Sequence, residues 1–278
     1  MAEVPRGLSI AGSDSGGGAG IQADLKTFQA HGVWGMTAIT AVTVQNTKGV
    51  SGYEAIPADV VGEQIRAVAT DIGVDAAKTG MLASAPIVEA VAEAIRDTGV
   101  PNLVVDPVFV SKHGHPLLEE DAVEALRTRL LPLATVVTPN LPEAAGLAGF
   151  PVETDEDMLR AGEAIVELGA RAVLIKGGHR DEPDATDLLV TAGESHPLST
   201  ERIDTPHTHG TGCVLSAAIA ANLAMGRGLL DSVRAAKAFV TGAIEHHLEI
   251  GGGIGPVDPS WELSHPSGRE SGLRGRMK

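Results

Sequence analysis

Apolar positions in this chain come in short blocks separated by glycine-rich or polar stretches. Residues 8–11 form a brief apolar run that enters a cluster of glycines, which reads as a strand, and beyond the glycines Ile21, Leu25 and Phe28 recur at helical spacing. Residues 34–43 are small and β-branched, a second strand. The alternation then continues with helices at 58–72, 86–97, 119–130 and 156–168, strands at 74–78, 103–105, 135–138 and 172–175, and closing helices at 212–225 and 229–248. Residues 180–199, rich in Asp, Pro and Thr, read as a hairpin flap with a strand at 186–191. Strands alternating with helices from end to end predict an α/β fold. The expected sheet is doubly wound and mostly parallel, with helices on both faces, a short flap and no separate lid domain.

Composition sharpens this picture. Only 3% of the residues are aromatic, so the core is packed from Ala, Val, Leu and Ile, as in a parallel sheet covered by helices. No linker-like stretch interrupts residues 4–258, so one domain is expected over 1–263, followed by a disordered basic tail at 264–278 that has little to bury. A net charge of −15 argues against a nucleic-acid surface. One cysteine excludes an internal disulfide, and the first residues carry no charged-then-apolar signal, so a cytoplasmic protein is expected. No apolar run reaches the roughly 18 residues of a membrane helix. The histidine pairs His207/His209 and His246/His247 each lack the further ligands of a metal site.

Candidate chemistry gathers after the strands. Thr208-His209-Gly210-Thr211-Gly212-Cys213 precedes a long apolar helix, so its glycines can turn the backbone amides, with the positive end of the helix dipole, towards an anion. Cys213 falls on the first turn, where a thiol pKa is pulled down and a thiolate can act as base or nucleophile. The plain alternatives are a tight connection and a small core cysteine. The loop 12–20 lacks the endings of a P-loop and the glycine spacing of a dinucleotide fingerprint. Asp24, one turn beyond it, either reaches a ligand or complements a helix end. Gln45 either reads a heterocycle edge or is a turn amide, and Met81 suits the wall of a flat apolar pocket. Asp106, locked by Pro107 at a strand end, suits a metal-bound water or a phosphate. Asn140 and Glu143 either hold hydrated Mg²⁺ or simply begin a helix. Lys176 at a strand end beside two glycines suits a triphosphate. In a doubly wound sheet these exits share one edge, and an anion hole, a lysine and paired carboxylates there suggest phosphoryl transfer.

The segments 11–28, Gln45-Asn46-Thr47, 78–82, Asp106-Pro107-Val108, 138–143, 176–179 and 209–213, in this order, resemble the hydroxymethylpyrimidine/phosphomethylpyrimidine kinases of thiamine synthesis, a vitamin-kinase branch of the ribokinase-like fold. The resemblance covers about residues 6–258. It implies transfer of phosphate from ATP, with Mg²⁺, to 4-amino-5-hydroxymethyl-2-methylpyrimidine and then to its monophosphate. It places Gln45, Gly12, Asp24, Met81 and Val108 around the pyrimidine, and Lys176, Asn140, Thr211 and His209 around the nucleotide. Glu143 and Asp106 go to the metal, and Gly210, Thr211, Gly212, Cys213 and Lys176 to the transferring group. Cys213 stands where sugar kinases of the wider fold carry an aspartate base. A homodimer is implied as well. Two positions depart from the pattern: His113 replaces a small residue, and Val214 a frequent threonine. Pyridoxal kinase activity is the nearest alternative, and a catalytically silent pyrimidine-binding protein a more distant one.

Overall fold

The computed structural model describes residues 3–109, 120–178 and 183–264. The expectations for the 111–114 loop, for His179 and for the tail beyond residue 264 lie outside them. Strand β1 (Arg6–Ala11) leads through the glycine loop to helix α1 (Gly20–Ala30) and β2 (Trp34–Ile39). A small two-stranded sheet follows, β3 (Ala41–Asn46) and β4 (Gly49–Ala55). The chain then alternates through α2 (Ala58–Asp71), β5 (Ala76–Thr79), α3 (Ala85–Thr98), β6 (Leu103–Val105), α4 (Glu120–Ala125), β7 (Val136–Val137), α5 (Leu141–Ala148), α6 (Asp155–Glu167) and β8 (Ala172–Ile175). An antiparallel pair, β9 (Asp184–Thr191) and β10 (Glu194–Glu201), precedes α7 (Thr211–Ala224), α8 (Leu229–Glu245) and α9 (Trp261–Ser264).

The main sheet has eight strands in the order β10-β9-β8-β7-β6-β5-β1-β2. β2, β1, β5, β6, β7 and β8 pair in parallel, and β9 runs against β8. From β1 the chain steps to one side to make β2 and returns to the other to make β5. The crevice between the carboxyl ends of β1 and β5 is therefore the switch point where such sheets bind ligands. Central strands are buried on both faces, and their side chains alternate between two cores. Val105, Val137 and Ile175 pack with α2 to α6, whereas Val104, Val136 and Leu174 pack with α1, α7 and α8. Helix α7 carries no charge and is buried on every side from Val214 to Leu223, lying across the middle of the second face.

Three sequence expectations change. The strand expected over 34–43 breaks at Thr40, whose hydroxyl donates to the Met81 carbonyl at 2.6 Å and whose N–H donates to Ala11 O at 3.1 Å. The chain thus leaves the sheet to cross the glycine loop, and β4, unforeseen, pairs with it. The flap is this β3–β4 sheet, while β9 and β10 continue the main sheet. The helix expected over 119–130 holds α-geometry only to Ala125, then widens to a π-turn at Leu126–Leu130 and tightens at Leu131–Leu133, which buries Leu126, Leu130 and Leu131 before Pro132. Among the described residues, no helix is long and apolar enough to cross a membrane.

Candidate active site

Each strand exit along the crevice contributes one residue to a cleft of about 790 Å³. Gly12 follows β1, Met81 follows β5, Asp106 follows β6, Asn140 follows β7 and Lys176 follows β8. Lys176 continues the parallel pairing one residue further, bridging to Asn140 and donating its N–H to Pro139 O at 2.8 Å, so both side chains leave rigid backbone.

Charge is concentrated at Lys176. Its ammonium lies 3.2 Å from Asp106 Oδ1 and 3.9 Å from Glu143 Oε2. Asp106 also accepts from Thr138 Oγ1 at 3.2 Å and from Ser216 Oγ at 3.3 Å. Burial alone would raise the Asp106 carboxyl, but the ammonium groups of Lys176 and Lys78 outweigh it and hold this group below the ordinary carboxylate range. Glu143 behaves oppositely: burial pushes it up to about 7, Lys176 opposing and Asp106 adding. Lys176 itself stays charged, since its two carboxylates outweigh its own burial.

Above these groups sits the start of α7. Its N-cap is Gly210, with φ +82°, and a Cβ there would overlap the Gly18 carbonyl oxygen. No side chain caps the helix; the Thr211 N–H makes a long bond to Thr208 O at 3.4 Å, and the Gly212 and Cys213 amides are the ones offered to a ligand. A Cβ on Gly212 would lie 3.5 Å from Lys176 Nζ and 3.8 Å from Asp106 Oδ2, which measures how closely the helix end faces the charged cluster. Positive helix end, ammonium and two carboxylates thus surround one space.

Gly12, Gln45, Met81, Val108, Asp106, Asn140, Glu143, Lys176 and the whole 209–213 turn line this cleft together. Several do so differently from the sequence reading. Asp24 does not line it: the residue is fully buried, and its carboxylate holds Lys78 Nζ at 3.0 Å and 3.1 Å. The Cys213 thiol is pushed up to about 11, not down, because burial outweighs the Lys78 ammonium and the helix end, with Asp24 and Asp106 adding to burial. The Asn140 side chain accepts from Glu143 N at 2.9 Å while Glu143 accepts from Asn140 N at 2.8 Å, a capping box that aims Glu143 and commits the carboxamide. The Thr211 hydroxyl donates to Thr208 O at 2.8 Å and closes its own turn. His209 is buried against Asp14, at 2.9 Å.

Four groups escaped the sequence reading. Asp14 gathers the N–H groups of Gly16, Gly18 and Ala19 at 2.8–3.0 Å, and an aspartate inside a glycine run is a signal for such a turn. Lys78, Ser216 and the pair Lys237–Asp187, at 2.7 Å, left no local signal, since their partners are distant in sequence. Asp187 also accepts the Gly177 N–H at 3.0 Å, bracing the turn after Lys176. Among the described residues, His207, His247 and Glu249 bring three potential metal ligands together. His207 Nδ1, however, accepts the Gly255 N–H at 2.9 Å, so Nε2 bears the proton and offers no lone pair.

The phosphomethylpyrimidine kinase family matches residues 14–258. A hydroxymethylpyrimidine/phosphomethylpyrimidine kinase of Streptomyces coelicolor is 55% identical over 259 residues, covering 93% of this chain and 96% of its own. Among solved structures, a Bacillus subtilis pyridoxal kinase in an ADP complex is similar at a TM-score of 0.88 and 42% identity, covering 94% of this chain and 99% of that one. A phosphomethylpyrimidine kinase from Clostridium difficile is similar at 0.77 and 43% identity, covering 87% and 100%.

Proposed function

The chain belongs to the phosphomethylpyrimidine kinase family, and on that premise we propose how its ribokinase-like cleft works. The protein is an ATP-dependent kinase that phosphorylates 4-amino-5-hydroxymethyl-2-methylpyrimidine and then its monophosphate, giving the diphosphate used in thiamine synthesis. The observation that carries the site assignment is the uncapped start of α7 facing Lys176 and Asp106.

In this reading the pyrimidine lies at the β1–β5 end of the cleft, against Gly12, Gln45, Met81 and Val108. The nucleotide extends along the strand ends towards β8 to β10, with its phosphates at Lys176. The substrate hydroxyl oxygen bonds to the γ-phosphorus as the bond to the β–γ bridging oxygen breaks, and ADP departs. The transferring oxygens face the leading amides of α7 and the Lys176 ammonium, which meet the charge of a loose transition state. With the thiol pushed up to about 11, Cys213 starts protonated at neutral pH, and in this reading it positions the incoming hydroxymethyl group. A loose transition state needs little base, and the proton follows to phosphate oxygen. Glu143 and Asp106 form an all-oxygen, doubly acidic pair beside the phosphate position, and this fits Mg²⁺ completed by water and phosphate oxygens. That ion, when bound, supplies charge neutralisation on the phosphates.

Reaction with pyridoxal is a second reading, favoured by the similarity to a pyridoxal kinase. We assign a homodimer from the β3–β4 sheet, whose Val42 and Val44 are 52% and 65% exposed on one face. Ala41 and Thr43 turn the other face of this sheet onto the glycine loop, and a second copy would cover the exposed one. Sedimentation of a Val42→Lys/Val44→Lys variant as a monomer supports that assignment, and unchanged sedimentation removes it. The need for ATP and the single cysteine support a cytoplasmic setting.

The deciding assay follows ADP release with Mg·ATP and records product masses for hydroxymethylpyrimidine, its monophosphate and pyridoxal. Diphosphate from both pyrimidines is the expected outcome. Turnover of pyridoxal alone transfers the assignment to vitamin B6, and silence with all three removes it.

A further inference from the structure

Two glycine-bearing loops meet across the cleft, residues 12–20 after β1 and residues 208–213 before α7. They are packed backbone against backbone. A Cβ on Gly18 would come within 2.6 Å of the His209 ring and 2.8 Å of Pro256, in addition to the overlap at Gly210. A contact between two buried polar side chains joins the loops at this seam: His209 Nε2 to Asp14 Oδ2, 2.9 Å. Asp14 Oδ2 already accepts the N–H groups of Gly18 and Ala19, and Oδ1 that of Gly16. The carboxylate is therefore an acceptor towards the imidazole, and Nε2 carries the proton. The backbone of His209 is held too, its N–H donating to Gly255 O at 3.1 Å and its carbonyl accepting from Val257 N at 3.1 Å. Gly210, the helix N-cap, comes next in the chain.

We propose that Asp14 and His209 form a clasp that sets the anion hole: they are positioning residues that fix where the leading amides of α7 point, relative to the loop beside the pyrimidine. The inference rests on the kinase reading above and changes the role of His209 from nucleotide contact to support. A glycine-rich turn has many accessible conformations, and amides that stabilise a transferring phosphoryl group must be held to about 0.5 Å. Three backbone hydrogen bonds on one carboxylate supply that restraint on one loop, and a fourth, from the imidazole, passes it to the other.

The test compares His209→Leu with His209→Gln. Glutamine places an amide nitrogen at about the reach of the imidazole Nε2 and restores the donor, whereas leucine fills the space without one. In steady-state phosphorylation of hydroxymethylpyrimidine, His209→Leu is expected to lower kcat about tenfold or more, with KM for the pyrimidine within about twofold. His209→Gln is expected to regain most of the rate. Amide hydrogen exchange over residues 210–213 should accelerate in the leucine variant and not in the glutamine variant. Wild-type kcat in a folded His209→Leu protein overturns the clasp, as does a glutamine variant no better than leucine. If His209→Leu melts below the assay temperature, His209→Asn replaces it, because its amide stops short of Asp14. Should the wild-type protein not turn over the pyrimidine, the kinase reading fails, and the exchange comparison still decides the clasp.

Discussion

Two lysines stand at the carboxyl ends of parallel strands, each about one hydrogen bond from an aspartate, and they have opposite consequences. Lys78, in β5, points to the face covered by α1 and α7, and its ammonium and the Asp24 carboxylate are both 0% exposed. Asp24 holds Lys78 charged against its burial, and Ser9 donates a further bond to the same carboxylate. Lys176, one residue beyond β8, keeps 15% of its side chain exposed and lies between Asp106 and Glu143. The sealed pair has no room for a third party, whereas the open one can exchange a carboxylate for a phosphate. Side-chain exposure, not residue type or strand position, separates the sealed lysine from the one the proposed reaction uses.

The comparison breaks most readily at the sealed pair. Lys78→Met leaves Asp24 buried without its cation and should cost about 3–5 kcal/mol of stability, read by chemical denaturation; an unchanged midpoint with lost turnover would make Lys78 a catalytic group instead. Adding Asp24→Leu should return much of that loss, because two apolar groups replace a balanced pair more cheaply than one orphan charge. Lys176→Met should do the reverse. Its melting temperature should stay within a few degrees while kcat falls about 100-fold or more. A third measurement uses Glu143, the titrating neighbour of the open lysine. Glu143 is pushed up from 4.5 to about 7, so between those values the folded state binds more protons than the unfolded one, and the unliganded protein should lose stability as pH rises through that window. The slope contributed is at most about 1.4 kcal/mol per pH unit and should vanish in Glu143→Gln. The smallest effect concerns the turn after β5, where Ala83 adopts φ +64°. Ala83→Gly should relieve that strain and add about 0.5 kcal/mol, seen in the same denaturation curves.

The fold was legible because its signals are local. Apolar blocks bounded by glycine or proline mark β1, β6 and β8, and the uncharged run after Gly212 marks α7 as buried. The convergence of Gly12, Met81, Asp106, Asn140 and Lys176 followed from topology, since parallel strands share one exit edge. Illegible was whatever depends on which side of a wall a group falls. Asp24 sits one turn from the glycine loop, and no spacing tells that its side chain turns inward to Lys78, 54 positions away. Cys213 likewise stands at a helix start, where the local dipole argues for a low pKa, but burial among groups of α1 and β5 wins. The break at Thr40 escaped because the residues on either side are equally good strand formers, and a tertiary bond to Met81 decides it.

Cys213 has a consequence beyond chemistry on substrate. As the sole cysteine of 278 residues, placed on the first turn of α7, it makes the unaltered protein a single-site labelling substrate. A thiol-directed reagent has one address per chain, without an inserted tag. With the thiol near 11, labelling at neutral pH proceeds through a minute thiolate fraction, so the modification rate works as a footprint of whatever changes the field or access at the head of that helix.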